Sequence, residues 1–158
     1  MSDAIQTPEL YLFTYGTLQP GERNAHVLRH APLWSVPATT NGWELWHLDP
    51  NDHPAILPNP QAVPLHGTLF CFAQDLHDEV LLDCDRLEDF YPDSPQTSRY
   101  LRQWTEVSTL EDAPRILKAH IYSWHPRNAE TLRARHQLVS HGHWIDFARA
   151  RKRTPHAP

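Results

Sequence analysis

Leu10-Tyr-Leu-Phe-Thr-Tyr-Gly-Thr-Leu-Gln-Pro-Gly21 runs an apolar, aromatic stretch into a turn that opens on glycine. Leu10–Thr14 has strand character, and Tyr15-Gly16-Thr17-Leu18-Gln19-Pro20-Gly21 closes that strand into a loop. Gly16 has no side chain to shield its backbone. A turn there can aim consecutive N–H groups at an anion or a developing oxyanion, although tight turns use glycine for ordinary reasons too.

Outward from this strand, short apolar runs recur at residues 34–36, 42–48, 55–57 and 65–72, separated by Pro, Asn and Asp. Residues 100–107 and 119–124 alternate apolar and polar, as strands with one buried face do. Residues 75–89 read as a helix with Asp75 as its N-cap and acids in the first turn. A second helix starts at Asn128 and stops before Gly142, and Trp144, Phe147 and Ala148 share a face of a last short helix. Strands and helices do not alternate regularly, which excludes a doubly wound sheet. The expected fold class is α+β: a small mixed sheet or barrel-like core of six to seven strands, one central helix and C-terminal helices.

With 158 residues, 40% of them hydrophobic, the chain suits one domain over 1–158, with its core at about 10–147 and a basic tail at 148–158. Cys71 and Cys84 each sit in apolar surroundings, so both are expected to be buried, reduced thiols and neither a nucleophile. No basic start with an apolar run and no stretch of about 18 apolar residues occurs, so the expectation is a cytoplasmic protein without a membrane partner. Residues 1–126 hold 7 Lys/Arg against 17 Asp/Glu, and residues 127–158 hold 7 against 2. A basic tail on so acidic a body argues against nucleic acid and for a helix docked on the body through Trp144 and Phe147. His136, His141 and His143 have no metalloenzyme spacing, so no metal is expected.

The 75–89 helix carries one anomaly. Leu76, Val80, Cys84, Leu87 and Tyr91 fall within an arc of about 80°, with Leu81 beside it, while Asp75, Asp78, Glu79, Asp85 and Asp89 point away. Glu88 projects between Cys84 and Leu81, toward the interior. Burial raises a carboxyl's pKa, so such a group both accepts and returns a proton near neutrality; a surface acid past a frayed helix end, paired with Arg86 or Arg102, is the plain alternative.

Several of these segments together resemble the γ-glutamylcyclotransferase and AIG2-like family. Leu12-Phe-Thr-Tyr-Gly-Thr-Leu18 is similar to its opening strand and substrate loop, His53-Pro-Ala-Ile56 to its Pro-containing stretch, and Val63-Pro-Leu-His-Gly-Thr-Leu-Phe70 to the strand that follows. Leu82-Asp-Cys-Asp-Arg-Leu-Glu-Asp-Phe-Tyr91 resembles the segment Leu-Asp-x-x-Glu-Gly-Tyr, whose glutamate is the family's catalytic acid/base. Tyr100-Leu-Arg102, Ala119-His-Ile-Tyr122 and Ser140-His-Gly-His-Trp144 match later motifs in order. The resemblance covers about residues 10–147. Asp89 stands where the family has glycine, and the segment 91–99 is longer than the family's compact form.

What the resemblance implies is a cofactor-independent enzyme that cyclises the γ-glutamyl group of a small-molecule substrate to 5-oxoproline and releases an amine or amino acid. Glu88 would be the catalytic residue, and Tyr15, Gly16, Thr17, Leu18 and Tyr122 would bind substrate. Tyr15 and Tyr122 also suit amphipathic core positions with one wet end. The competing class is a non-catalytic module of the same fold that binds a small acidic metabolite; an interior Glu88 disfavours it, because a plain anion pocket gains nothing from a buried carboxylate.

Overall fold

A computed structural model describes residues 9–50 and 52–153. The expected lack of a secretory start concerns residues 1–8, which lie outside this range, as do residues 154–158 of the basic tail. Among the described residues no helix is long and apolar enough to cross a membrane.

Among the described residues eight strands form: β1 Leu10–Thr14, β2 Trp34–Thr40, β3 Trp43–Leu48, β4 His53–Pro58, β5 Leu65–Phe72, β6 Tyr100–Thr109, β7 Ile116–Trp124 and β8 Gln137–Leu138. Strands β1-β5-β2-β6-β7 close into a barrel, and β4-β3-β8 make a separate sheet. Closure depends on one parallel contact, Leu12 with His120, while every other pairing is antiparallel. The expected α+β class holds; the strand beyond the six to seven expected is the two-residue β8, too short to show a period.

Strand β1 is apolar on both faces because both are covered. Phe13 points into the barrel with Leu69, Val107, Ala119 and Ile121, whereas Leu10 and Leu12 face outward with Phe70 and Phe72 onto Val80, Leu81 and Cys84 of the helix α1, His77–Leu87. Each such side chain contributes about 1.5–3 kcal/mol through burial. Both thiols are buried, as expected. Burial pushes Cys71 up to about 12 and Cys84 still higher, which keeps them protonated and unreactive.

Helix α1 is shorter than the 75–89 expected. Residues Gln74–Leu76 form a 3₁₀ turn, and Leu76 takes the N-cap position without a side-chain bond, so Asp75 does not cap. The buried side of α1 carries Val80, Leu81, Cys84 and Asp85, which shifts its centre toward Leu81 from the arc read in the sequence. Two placements are thereby corrected: Asp85 is buried, and Tyr91 is exposed because the helix has ended before it.

The stop is built from backbone. Phe90 N–H donates to the Asp85 carbonyl at 2.9 Å and Asp89 N–H to the Arg86 carbonyl at 3.4 Å, with Asp89 at φ 50°. This is a Schellman turn, in which the residue after the C-cap adopts the left-handed conformation that glycine and, less easily, Asp and Asn accept. Asp89 therefore occupies the family's glycine position with glycine's backbone. Asp89→Gly is expected to keep stability within about 1 kcal/mol, and Asp89→Val, whose branched side chain opposes this conformation, to lose about 1–2 kcal/mol in urea denaturation.

The second helix, α2, spans only Ala129–Arg135, because the chain then extends at His136 to add β8 to β3. Asn128 sits at its N-cap without a side-chain bond. Helix α3, Trp144–Arg153, docks as expected: Trp144 and Ala148 are buried and Phe147 packs beside them.

Candidate active site

At one end of the barrel, a cavity of about 100 Å³ collects residues from five places in the chain. Tyr15, Gly16, Thr17 and Leu18 follow β1; Leu87 and Glu88 end α1; His53 and Pro54 open β4; Arg99 and Tyr100 open β6; Tyr122 comes from β7. All six residues singled out in the sequence thus line one cavity. It is smaller than the roughly 300–1,000 Å³ of drug-sized sites and suits a group of amino-acid size.

The loop after β1 is held by its carbonyls and side chains. Gln19 N–H donates to the Gly16 carbonyl at 3.1 Å, Asn24 N–H to the Thr17 carbonyl at 2.9 Å, and Asn24 Nδ2 to Thr17 Oγ1 at 2.9 Å. Among the described residues, the amides of Gly16, Thr17 and Leu18 donate to no protein acceptor. All three residues line the cavity. Gly16 is required for a second reason: a Cβ there would overlap the Pro54 ring, 38 residues away. Pro54 is in turn fixed by its carbonyl, which accepts from Tyr100 Oη at 2.7 Å.

Glu88, the C-cap of α1, is half-buried against this cavity, and among the described residues its carboxylate has no hydrogen bond or ion pair. Burial is the main cause that pushes its carboxyl up to about 7; Asp89 adds to the rise and Arg99 opposes it. The pairing with Arg86 or Arg102 that a surface acid would make is absent, because Arg102 Nη1 binds both oxygens of Asp85, at 2.8 and 2.6 Å. Tyr122 Oη donates to the same carboxylate at 2.5 Å, and Tyr15 Oη donates to the Tyr122 carbonyl at 2.6 Å. Tyr15 and Tyr122 therefore line the cavity with their hydroxyls given to the protein. Asp85, one turn before Glu88, ties α1 to the barrel.

Sequence reading missed Asn24, His53, Pro54, Arg99 and Tyr100 as lining residues. His53-Pro54 and Tyr100 lay in recognised segments, so their motifs were the available signal; Arg99 had none.

The histidines considered for a metal do not converge. The one convergent group among the described residues is His47, Asp49 and Asp52. His47 Nδ1 accepts from Trp144 Nε1 at 3.1 Å, so its proton sits on Nε2, which faces Asp52 Oδ1 at 2.9 Å. Arg151 occupies the Asp49 carboxylate at 2.9 Å. Nδ1 is thus engaged in docking α3 and Nε2 in holding the turn before β4, and neither offers a lone pair to an ion.

The barrel thus carries a cavity lined both by a carboxyl without a protein partner and by a loop whose amides donate to no protein acceptor. Residues 12–146 match the model of the family described as gamma-glutamyl cyclotransferase, AIG2-like, and the chain belongs to that family. Its fold is similar to that of YkqA from Bacillus subtilis (TM-score 0.61, 21% identity, 94% of this chain and 44% of that one). An AIG2-like protein from Mus musculus aligns with TM-score 0.57 and 21% identity over 75% of this chain and 81% of that one. A yeast γ-glutamyl cyclotransferase specific to glutathione aligns with TM-score 0.52 and 12% identity over 94% and 89%. This chain spans less than half the length of the B. subtilis protein. No curated protein sequence matches it.

Proposed function

We propose that this chain is a γ-glutamylcyclotransferase that needs no cofactor. The observation that carries this reading is Glu88, an interior carboxyl without a protein partner, in one amino-acid-sized cavity with the free amides of Gly16, Thr17 and Leu18. The α-amine of a γ-glutamyl substrate attacks its own γ-carbonyl carbon; the new C–N bond closes 5-oxoproline and the bond to the departing nitrogen breaks. Two protons leave the attacking ammonium and two reach the departing amine. Glu88, poised near neutrality, takes a proton from the first nitrogen and returns it to the second. The loop amides bind the glutamyl α-carboxylate or stabilise the oxyanion that forms on the γ-carbonyl. Tyr15 and Tyr122 wall the cavity, which holds the chain of the substrate folded for attack.

The test is release of 5-oxoproline from a panel of γ-glutamyl compounds, followed by chromatography. Turnover of at least one member is expected. Saturable binding without 5-oxoproline release from any of them would instead make the chain a binding module of this fold.

A further inference from the structure

The turn between β3 and β4 ends at Asp52, the residue before His53 and Pro54 of the cavity. Asp52 holds φ at 52°, a left-handed conformation that glycine takes more readily. What its carboxylate adds is an acceptor: the buried His47 of β3 donates Nε2–H to Asp52 Oδ1 at 2.9 Å. Burial keeps the His47 ring below its ordinary pKa, so this donor is a neutral imidazole. From Asp52 two short routes lead to the loop of Gly16, Thr17 and Leu18. Arg23 Nη2 donates to the Asp52 carbonyl at 2.6 Å, and the next residue, Asn24, holds Thr17 by its backbone N–H and its Nδ2, both at 2.9 Å. On the other side, Pro54 packs so closely on Gly16 that a Cβ there would come within 2.1 Å of the ring.

We infer that Asp52 is a positioning residue: by pinning the end of this turn to His47 it sets Pro54 and Arg23, and through them the amides of Gly16, Thr17 and Leu18. For its effect on turnover this rests on the cyclotransferase reading. Asp52 itself does not line the cavity, so its influence on the reaction travels through these neighbours. The same His47 nitrogen has Asp49 Oδ1 at 3.5 Å. Without the Asp52 carboxylate the bond passes to Asp49, and the turn loses its hold on the start of β4 while His47 keeps an acceptor. The fold thereby survives a change that the loop registers.

The test compares Asp52→Gly, which suits the backbone conformation but removes the acceptor, with Asp52→Asn, whose Oδ1 still accepts from His47. With the best γ-glutamyl substrate, Asp52→Gly is expected to lose about tenfold or more in kcat/KM, and Asp52→Asn to stay within about threefold of the parent. The pH limb set by Glu88 keeps its midpoint in both, because the charges that act on that carboxyl are those of Arg99 and Asp89. Asp52→Gly combined with Gly16→Ala loses less than the product of the two single losses, since both displace one contact. In amide proton–nitrogen NMR spectra the Gly16, Thr17 and Leu18 signals shift in Asp52→Gly and return in Asp52→Asn, while those of the barrel core stay in place. Near-parent turnover in Asp52→Gly, equal losses in both variants, fully multiplicative losses with Gly16→Ala, or unmoved loop signals overturn the inference. If the parent releases no 5-oxoproline from any γ-glutamyl compound, the cyclotransferase reading fails, and the spectra alone decide whether Asp52 sets the loop.

Discussion

Glu88→Gln is expected to lower 5-oxoproline production by at least about 10²-fold while substrate still binds, because the amide keeps the shape of the side chain and loses the proton acceptor. In the parent enzyme kcat/KM rises with pH through about 7, where burial has placed the Glu88 carboxyl, and the variant loses that limb. The same shift has a consequence for stability. The folded chain keeps the Glu88 proton to about pH 7, whereas the unfolded chain releases it near 4.5. Between these values the native state binds more protons, so this group's contribution to stability declines as pH rises. Glu88→Gln removes that decline, and urea titrations are expected to find it more stable than the parent by roughly 1–3 kcal/mol at pH 8, with the difference vanishing toward pH 4.5. An inactive but more stable protein cannot be mistaken for a misfolded one. Near-normal turnover by Glu88→Gln would remove the acid/base role, and loss of turnover in Asp89→Asn instead would move it by one residue.

Asp85→Ala is expected to cost about 3 kcal/mol or more in urea denaturation at neutral pH. The substitution leaves the Arg102 guanidinium and the Tyr122 hydroxyl without their shared acceptor, in a site where Asp85 and Tyr122 are 6% and 4% exposed. Replacing the pair together, Asp85→Leu with Arg102→Met, is expected to recover much of the loss, since no uncompensated charge stays behind. A single-variant cost below about 1 kcal/mol would mean that this network does not hold α1 to the barrel. Because the same bonds fix the turn that ends in Glu88, the double variant is expected to keep more stability than activity.

Why the inward angle of Glu88 was legible and the burial of Asp85 was not follows from what periodicity measures. Spacing along α1 sets where each side chain projects, and on that count Glu88 lies amid Val80, Leu81 and Cys84 whatever covers them. Asp85 projects farther round, where spacing cannot tell solvent from a partner strand. Its partners come from elsewhere: Arg102 and Tyr122 face each other across the β6–β7 ladder and meet the same carboxylate. The exposed position of Tyr91 has a comparable cause, because the left-handed Asp89 ends the helical period just before it.

By itself the sequence determined the strand that runs into the glycine loop, the amphipathic helix with a carboxylate on its inner side, two buried thiols and a last helix docked through Trp144. These depend on neighbours within a few residues, where composition and period act directly. Only the tertiary structure decided that the sheet closes through the contact of Leu12 with His120, that Gly16 gives its missing Cβ to Pro54, and that Arg99 joins Glu88 and the Gly16 loop in one cavity. Each is a meeting of segments tens of residues apart, and it is chain closure and packing, not local periodicity, that bring such segments together.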